Sequence, residues 1–329
     1  MIRGIAVASK LLPSLLLASL FAAGAQAQSQ FPSKPVKLIS DSAPGSNIDV
    51  TLRVFADRMS KAWGQQVVIL NHPGAGGAIS ARVASEADPD GYTYYMPALS
   101  VFLAVPGKAA NLPLQLPRDF IPVGFFAENP MFIAASPKLG VATLPELIAA
   151  AKQRPGEISY AVTGVGRLTH LTGELLQDTA GIKLLMVPYT GGSAQAIGDV
   201  VGGRVPLIIE GFAGALASSI QGGTLKALAQ GSPKRLAEFP DLPAVAETLP
   251  GFAATGWQVL VAPKGTPEAM VSATSEMLRK VVADPELKKT LAARGAYTRP
   301  MTQQEALTFV QSQQQQWKPI LDRLALQQR

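Results

Sequence analysis

Two hydrophobic periods alternate along this chain: short runs of consecutive aliphatic residues, then stretches with apolar positions three and four apart. The first pattern reads as a buried strand and the second as an amphipathic helix. Residues 36–39 (Val-Lys-Leu-Ile) predict a strand, closed by the turn Ser42-Ala43-Pro44-Gly45-Ser46. A helix over 49–63 carries Val50, Val54, Phe55 and Met59 on one face, with Gly64 as its stop. Residues 66–70 predict the next strand, and Pro73-Gly74-Ala75-Gly76-Gly77 opens a helix to about residue 87. Asp88-Pro89-Asp90-Gly91 then turns the chain into a strand over 92–96.

The pattern restarts after Asn129-Pro130. Strands are predicted at 131–135, 158–161, 184–187, 205–209 and 225–229, and helices at 144–153, 167–180 and 193–201. Strand followed by helix, repeated, argues for an α/β fold of mostly parallel sheets flanked by helices. A strand at 257–261 is expected to return to the first half, and helices at 267–282, 285–292 and 303–326 finish the chain. The last holds Gln311 and the glutamine run 313–316. Ala306, Leu307, Phe309, Val310, Trp317 and Leu321 nevertheless keep helical spacing, so a docked amphipathic helix is expected, with Pro319 as a kink point. Breaks near residues 128 and 251 are the expected crossings between two halves.

The amino terminus changes the picture. Arg3 and Lys10 precede an apolar run over 11–23, and Ala25-Gln26-Ala27 offers small residues where a signal peptidase reads them. This predicts a cleavable export signal, residues 1–27, cut before Gln28. An apolar run of about 13 residues is too short to cross a hydrocarbon core about 30 Å thick. Cleavage leaves 302 of the 329 residues, enough for two lobes of ordinary domain size. The lobes are expected at 28–128 plus 252–329, and at 129–251.

With no cysteine, the chain has no disulfides, thiolate metal sites or cysteine nucleophile. Removing Arg3 and Lys10 leaves 27 basic and 23 acidic side chains, a net charge of +4. The basic residues are scattered without interleaved aromatics, which argues against a nucleic-acid partner and allows a mild preference for small anions.

Four glycine-bearing turns precede predicted helices: Pro44-Gly45-Ser46-Asn47, the 73–77 turn, Thr163-Gly164-Val165-Gly166, and Tyr189-Thr190-Gly191-Gly192-Ser193. Backbone N–H groups at such turns can approach an anion closely, and the helix end adds partial positive charge. A tight turn alone also selects glycine, so it is the four together that point to one anion-binding cleft. Enzyme motifs fail. Ile79 and Thr169 stand where a dinucleotide fingerprint needs its third glycine, and neither a phosphate-binding Gly-x-x-x-x-Gly-Lys motif nor a Gly-x-Ser-x-Gly elbow occurs. His72 and His170 are the only histidines, too few for a histidine metal cluster. No catalytic residue, metal or cofactor is expected. His170, early in a helix, reads first as a structural residue.

In order along the chain stand Phe31-Pro32-Ser33-Lys34-Pro35-Val36, Ala43-Pro44-Gly45 with Asp49-Val50, Asn71-His72-Pro73-Gly74-Ala75-Gly76-Gly77, and Pro89-Asp90-Gly91-Tyr92-Thr93. Ser159-Tyr160-Ala161, His170-Leu171-Thr172-Gly173-Glu174, Val187-Pro188-Tyr189 and Asp199-Val200-Val201-Gly202-Gly203 follow. With this series the chain resembles the tripartite tricarboxylate transporter substrate-binding proteins, the Bug family, over essentially all of its mature length.

The resemblance implies a type II periplasmic-binding-protein fold, whose two lobes each hold a central, mostly parallel sheet flanked by helices. The cleft between them would close on a small carboxylate and present it to a membrane permease. It places the protein in the periplasm, and a monomer is expected of a carrier that must diffuse to its permease. It implies ligand contacts at Ala43, Gly45, Ser46, Asn47 and Ile48, and at Thr163, Gly164, Gly166, Arg167, Thr169 and His170. Tyr189 joins this set, as does Glu210 at a usually aspartate position facing the ligand's far end.

The chain departs from the family pattern at Ser42, where an aromatic is usual, and at Ile48, where a hydroxyl is usual. Arg167 replaces a small hydroxyl residue and is either a bidentate carboxylate partner or a solvated side chain. The same closing motion could instead be read by a membrane signalling kinase, which the sequence does not distinguish from transport.

Overall fold

The computed structural model describes residues 31–44, 46–97, 99–103, 114–189 and 192–327. The expected export signal and Gly45 lie outside them, as do Thr190 and Gly191 of the fourth glycine turn.

The first half opens with β1 (Val36–Ser40), α1 (Asn47–Trp63), β2 (Val67–Asn71), α2 (Ala78–Ser85), β3 (Thr93–Met96) and the short α3 (Leu99–Phe102). Ser46 caps α1, its hydroxyl accepting from the Asp49 N–H at 3.3 Å, and Gly64 ends it in the left-handed conformation at φ 66°. Strands β2, β1 and β3 pair in parallel, in that order.

β4 (Ile121–Ala135) is the spine of the molecule, followed by α4 (Leu144–Gln153), β5 (Ser159–Val162), α5 (Leu168–Ala180), β6 (Leu185–Pro188), α6 (Ser193–Val201) and β7 (Leu207–Gly211). Next come α7 (Gly214–Gln221), β8 (Lys226–Gln230), α8 (Val245–Thr248), β9 (Thr255–Ala262), α9 (Glu268–Ala283), α10 (Pro285–Ala292) and α11 (Gln303–Gln327). β7, β5 and β6 form the second parallel set. β4 and β9 run antiparallel to their neighbours and join the two sets through the order β2-β1-β3-β9-β4-β7-β5-β6, with β8 also on β4.

The sequence reading broke the chain at Asn129-Pro130, but β4 runs straight through. Proline is poorly placed in a strand interior because it donates no ladder hydrogen bond. Here Pro130 sits where β4 changes partners: it is the last residue opposite β9, and pairing with β7 begins at Met131. The break in the pattern therefore marks an exchange of partners, not a loop.

Two core clusters lie in the first half, around Phe55, Tyr94 and Phe126 and around Phe102, Phe125 and Trp257. Two lie in the second half, around Tyr160, Leu171 and Leu207 and around Phe132, Phe212 and Leu216. α11, expected in the first lobe with the rest of 252–329, spans both. Ala306 and Val310 pack into a first-half cluster, whereas Trp317, Ile320, Leu321 and Leu324 pack into a second-half cluster. Pro319 lies on its exposed side within an unbroken helix. The glutamines are structural brackets. Gln314 donates to the carbonyls of Phe102 and Leu114 at 3.1 and 2.9 Å, and Gln316 donates to that of Ala253 at 2.8 Å.

Candidate ligand-binding site

The turn after β1 is held from behind by a buried charge. Asp49, in the first turn of α1, has a side chain only 1% exposed and accepts both nitrogens of an Arg53 fork at 2.9 and 3.1 Å. Asn71, at the end of β2, donates to Asp49 Oδ1 at 2.9 Å and to the Ser42 carbonyl at 3.0 Å. Ser40 and Ser42 share a 2.7 Å hydroxyl bond. This lattice ties Ser42 and the end of β2 to the first turn of α1, and Ala43 and Pro44 are exposed. The Ser46 hydroxyl is taken by the helix cap, and Ile48 packs partly buried against the first core. The side chain of Asn47 lies outside the described residues.

Asp41, not singled out in the sequence, reaches the next glycine turn. A Cβ on Gly77 would stand 2.8 Å from Asp41 Oδ2 and 2.6 Å from Val101, so only glycine lets the α2 entry approach both. Burial pushes the nearby Tyr95 hydroxyl far up, and the Asp41 carboxylate pushes it further.

In the second half, the turn over 163–167 follows β5 and feeds α5. Thr163 N–H donates to Thr169 Oγ1 at 3.2 Å, and Gly166 N–H donates to His170 Nδ1 at 3.0 Å. Arg167 is the N-cap residue of α5, and its exposed side chain folds back over Gly164, where a Cβ would meet its Cδ at 2.8 Å. Gly164 and Gly166 both have positive φ, at 152° and 78°.

Glu210, near the end of β7, accepts from the Ser193 hydroxyl at 3.0 Å and the Gly211 N–H at 3.0 Å. Burial raises its pKa above the usual carboxylate range, against the pull of those bonds, a Thr163 hydrogen bond and the Arg167 charge. Thr163, Arg167, Ser193 and Glu210, from the ends of three parallel strands, therefore share one locality: a cation, two hydroxyls and a carboxyl group held partly in reserve.

Two expected residues already hold partners within the chain. The Tyr189 hydroxyl donates to Asp199 Oδ2 at 2.7 Å, and Asp199 is paired with Arg204, so the hydroxyl is engaged on α6. His170 is buried, with its Nδ1 already accepting. Ser193 was legible only as a hydroxyl following a glycine pair. A groove of about 710 Å³ in the second half, lined in part by Val141, Ile220, Phe239 and Leu242, includes none of these site residues.

Paired parallel sheets sharing long antiparallel strands, with polar turns at the strands' carboxyl ends, define the type II periplasmic-binding-protein fold. The chain belongs to the tripartite tricarboxylate transporter family receptors, whose model matches residues 51–326. It is 33% identical to BugT of Bordetella pertussis over 293 residues, 88% of this chain and 89% of that protein. A UPF0065 protein of Bordetella bronchiseptica is 31% identical over 321 residues, 98% of this chain and 94% of its own length. Among solved structures, periplasmic binding protein BugD superposes with a TM-score of 0.73 at 30% identity, covering 89% of this chain and 98% of that one. An R. palustris protein with adipate gives 0.78 at 28% identity, covering 90% and 98%. MatC from Rhodopseudomonas palustris with bound malate gives 0.73 at 26% identity, covering 88% and 100%.

Proposed function

We propose that this protein captures a small organic acid between two lobes and delivers it to the membrane permease of a tripartite tricarboxylate-type transporter. The observation that carries the reading is the meeting of Arg167, Thr163, Ser193 and Glu210 at the carboxyl ends of β5, β6 and β7. Arg167 offers a fork that matches a carboxylate, and the positive end of α5 lies beside it. Glu210 takes the far end of the ligand through a hydrogen bond. Bound adipate and malate in two related proteins support a carboxylate class.

In this reading residues 1–27 direct export to the periplasm and are removed, so that the mature chain begins at Gln28. The lobes are 28–128 with the 252–302 return, and 129–251, with α11 across both. The mature protein acts as a monomeric carrier and performs no chemistry on its ligand.

The test is a thermal-shift screen of mono- and dicarboxylates, adipate and malate included. A ligand at about 100 times its Kd stabilises the folded state by about 2.7 kcal/mol, a readily measured rise in Tm. Arg167→Ala is expected to abolish the shift. Silence from every acid, or an undiminished shift in the variant, refutes the assignment.

A further inference from the structure

We infer that His170 is a positioning residue for the ligand turn: its neutral imidazole holds the Gly166 amide through Nδ1, and protonation releases that turn and weakens binding. The inference rests on the proposed role of residues 163–167 in holding ligand. Its physical core is a tautomer requirement. Gly166 N–H donates to Nδ1 at 3.0 Å, so Nδ1 must present a lone pair. A proton on an imidazole that already carries its hydrogen on Nε2 goes to Nδ1, where two donors then face each other. The amide of Gly166, a residue at φ 78°, must find another acceptor, and the turn loses its tie to α5.

The surroundings favour the neutral ring. His170 is 5% exposed, and burial lowers its pKa, opposed by Glu174. Its place in the first turn of α5 adds the positive end of a helix dipole, which also disfavours imidazolium. Glu174 Oε1 lies 3.7 Å from Nε2 on the same helix. From the facing helix, Arg323 of α11 binds Glu174 Oε2 at 3.2 Å and also pairs with Asp178. Arg323 draws on the Glu174 charge that would otherwise stabilise imidazolium. A line of contacts thus runs from the last helix through Glu174 and His170 to the turn.

The test has two arms. With only His72 and His170 in the chain, imidazole nitrogen spectra of the intact mature protein are simple to assign. The expected result is an unprotonated Nδ1 on His170 at neutral pH and a Gly166 amide resonance that titrates with the same midpoint. A protonated Nδ1, or a Gly166 signal indifferent to that titration, overturns the inference without reference to any ligand.

In the second arm, adipate and malate affinities are measured between about pH 7.5 and 5.5, and any slope from the acids' own carboxyl groups is common to wild type and variants. The wild type should lose up to roughly three- to tenfold, the worth of one hydrogen bond, over the pH interval in which the spectra show His170 taking up its proton. His170→Asn, whose side-chain oxygen can take the place of Nδ1, should retain neutral-pH affinity and flatten this component. His170→Leu should bind weakly at every pH. Any slope from Glu210 remains in both His170 variants, so an unchanged slope in His170→Asn overturns the inference. Failure of both acids to bind at any pH counts against the proposed function, and the spectra then decide the role of the imidazole by themselves.

Discussion

Gly173 in the middle of α5 should resist the substitution that usually strengthens a helix. Exchanging an interior helical glycine for alanine ordinarily gains about 1 kcal/mol. A Cβ at Gly173, however, would fall 2.3 Å from Tyr160 Cε2 and 2.6 Å from both Cζ and the hydroxyl oxygen. The ring cannot swing aside. Tyr160 is fully buried, and its strand pairs with Met186 on one side and Leu207 on the other. Overpacking of this kind costs about 1–3 kcal/mol, and three ring atoms inside contact distance place it at the upper end. The net expectation for Gly173→Ala is a loss of about 2 kcal/mol, or a Tm lower by about 4–8 °C.

Gly198 is the internal control. It lies exposed in α6, and an added Cβ would meet nothing within 4 Å. Gly198→Ala should therefore raise Tm by about 2–4 °C, the same substitution with the opposite sign. Calorimetry and urea titration of both variants provide the measurement. Adding Tyr160→Leu to Gly173→Ala should recover part of the loss, because the two sites share one contact. Equal signs for the two glycines, or a Gly173→Ala protein as stable as wild type, would refute the packing argument.

Glu210 has a raised pKa, so folding is favoured by its protonated form, and this contribution is lost as pH rises from the ordinary 4.5 through the folded value. Glu210→Gln should accordingly gain Tm over wild type with increasing pH and show no such gain near pH 4; a constant difference across that range would remove the burial argument. Trp317, 1% exposed in a second-half cluster, should cost about 3–5 kcal/mol when replaced by alanine. Trp317→Phe should cost much less, since the indole N–H has no acceptor among the described residues, and urea unfolding separates the two.

Much of the fold was legible because local signals agreed with the tertiary outcome. Helices over 144–153, 193–201 and 285–292 fall at the predicted residues, and Gly64 and Gly181 end theirs in the left-handed conformation. The first half of β4 was not legible. Pro122 and Gly124 interrupt its apolar run, and the structure absorbs them as irregularities in the pairing with β9. α7 and α8 carry little local signal, because one lies among glycines and the other is four residues long. The split loyalty of α11 was beyond periodicity altogether. Spacing identifies an apolar stripe, but a 25-residue helix is long enough to lean on two cores, and only their placement decides which.

The candidate site divides along the same physical line. Glycine turns at strand ends are local, so residues 163–167 could be marked from sequence and are found feeding α5. Which side chains share that locality depends on contacts across 17 to 47 positions, such as Ser193 with Glu210 and Thr163 with Glu210. No spacing rule carries that information. Tyr189 shows the consequence: its motif position gives no sign that its hydroxyl donates to Asp199, ten residues on. His170 shows the converse. An imidazole engaged by its own turn is shaped by that turn's need for an acceptor, here the Gly166 N–H.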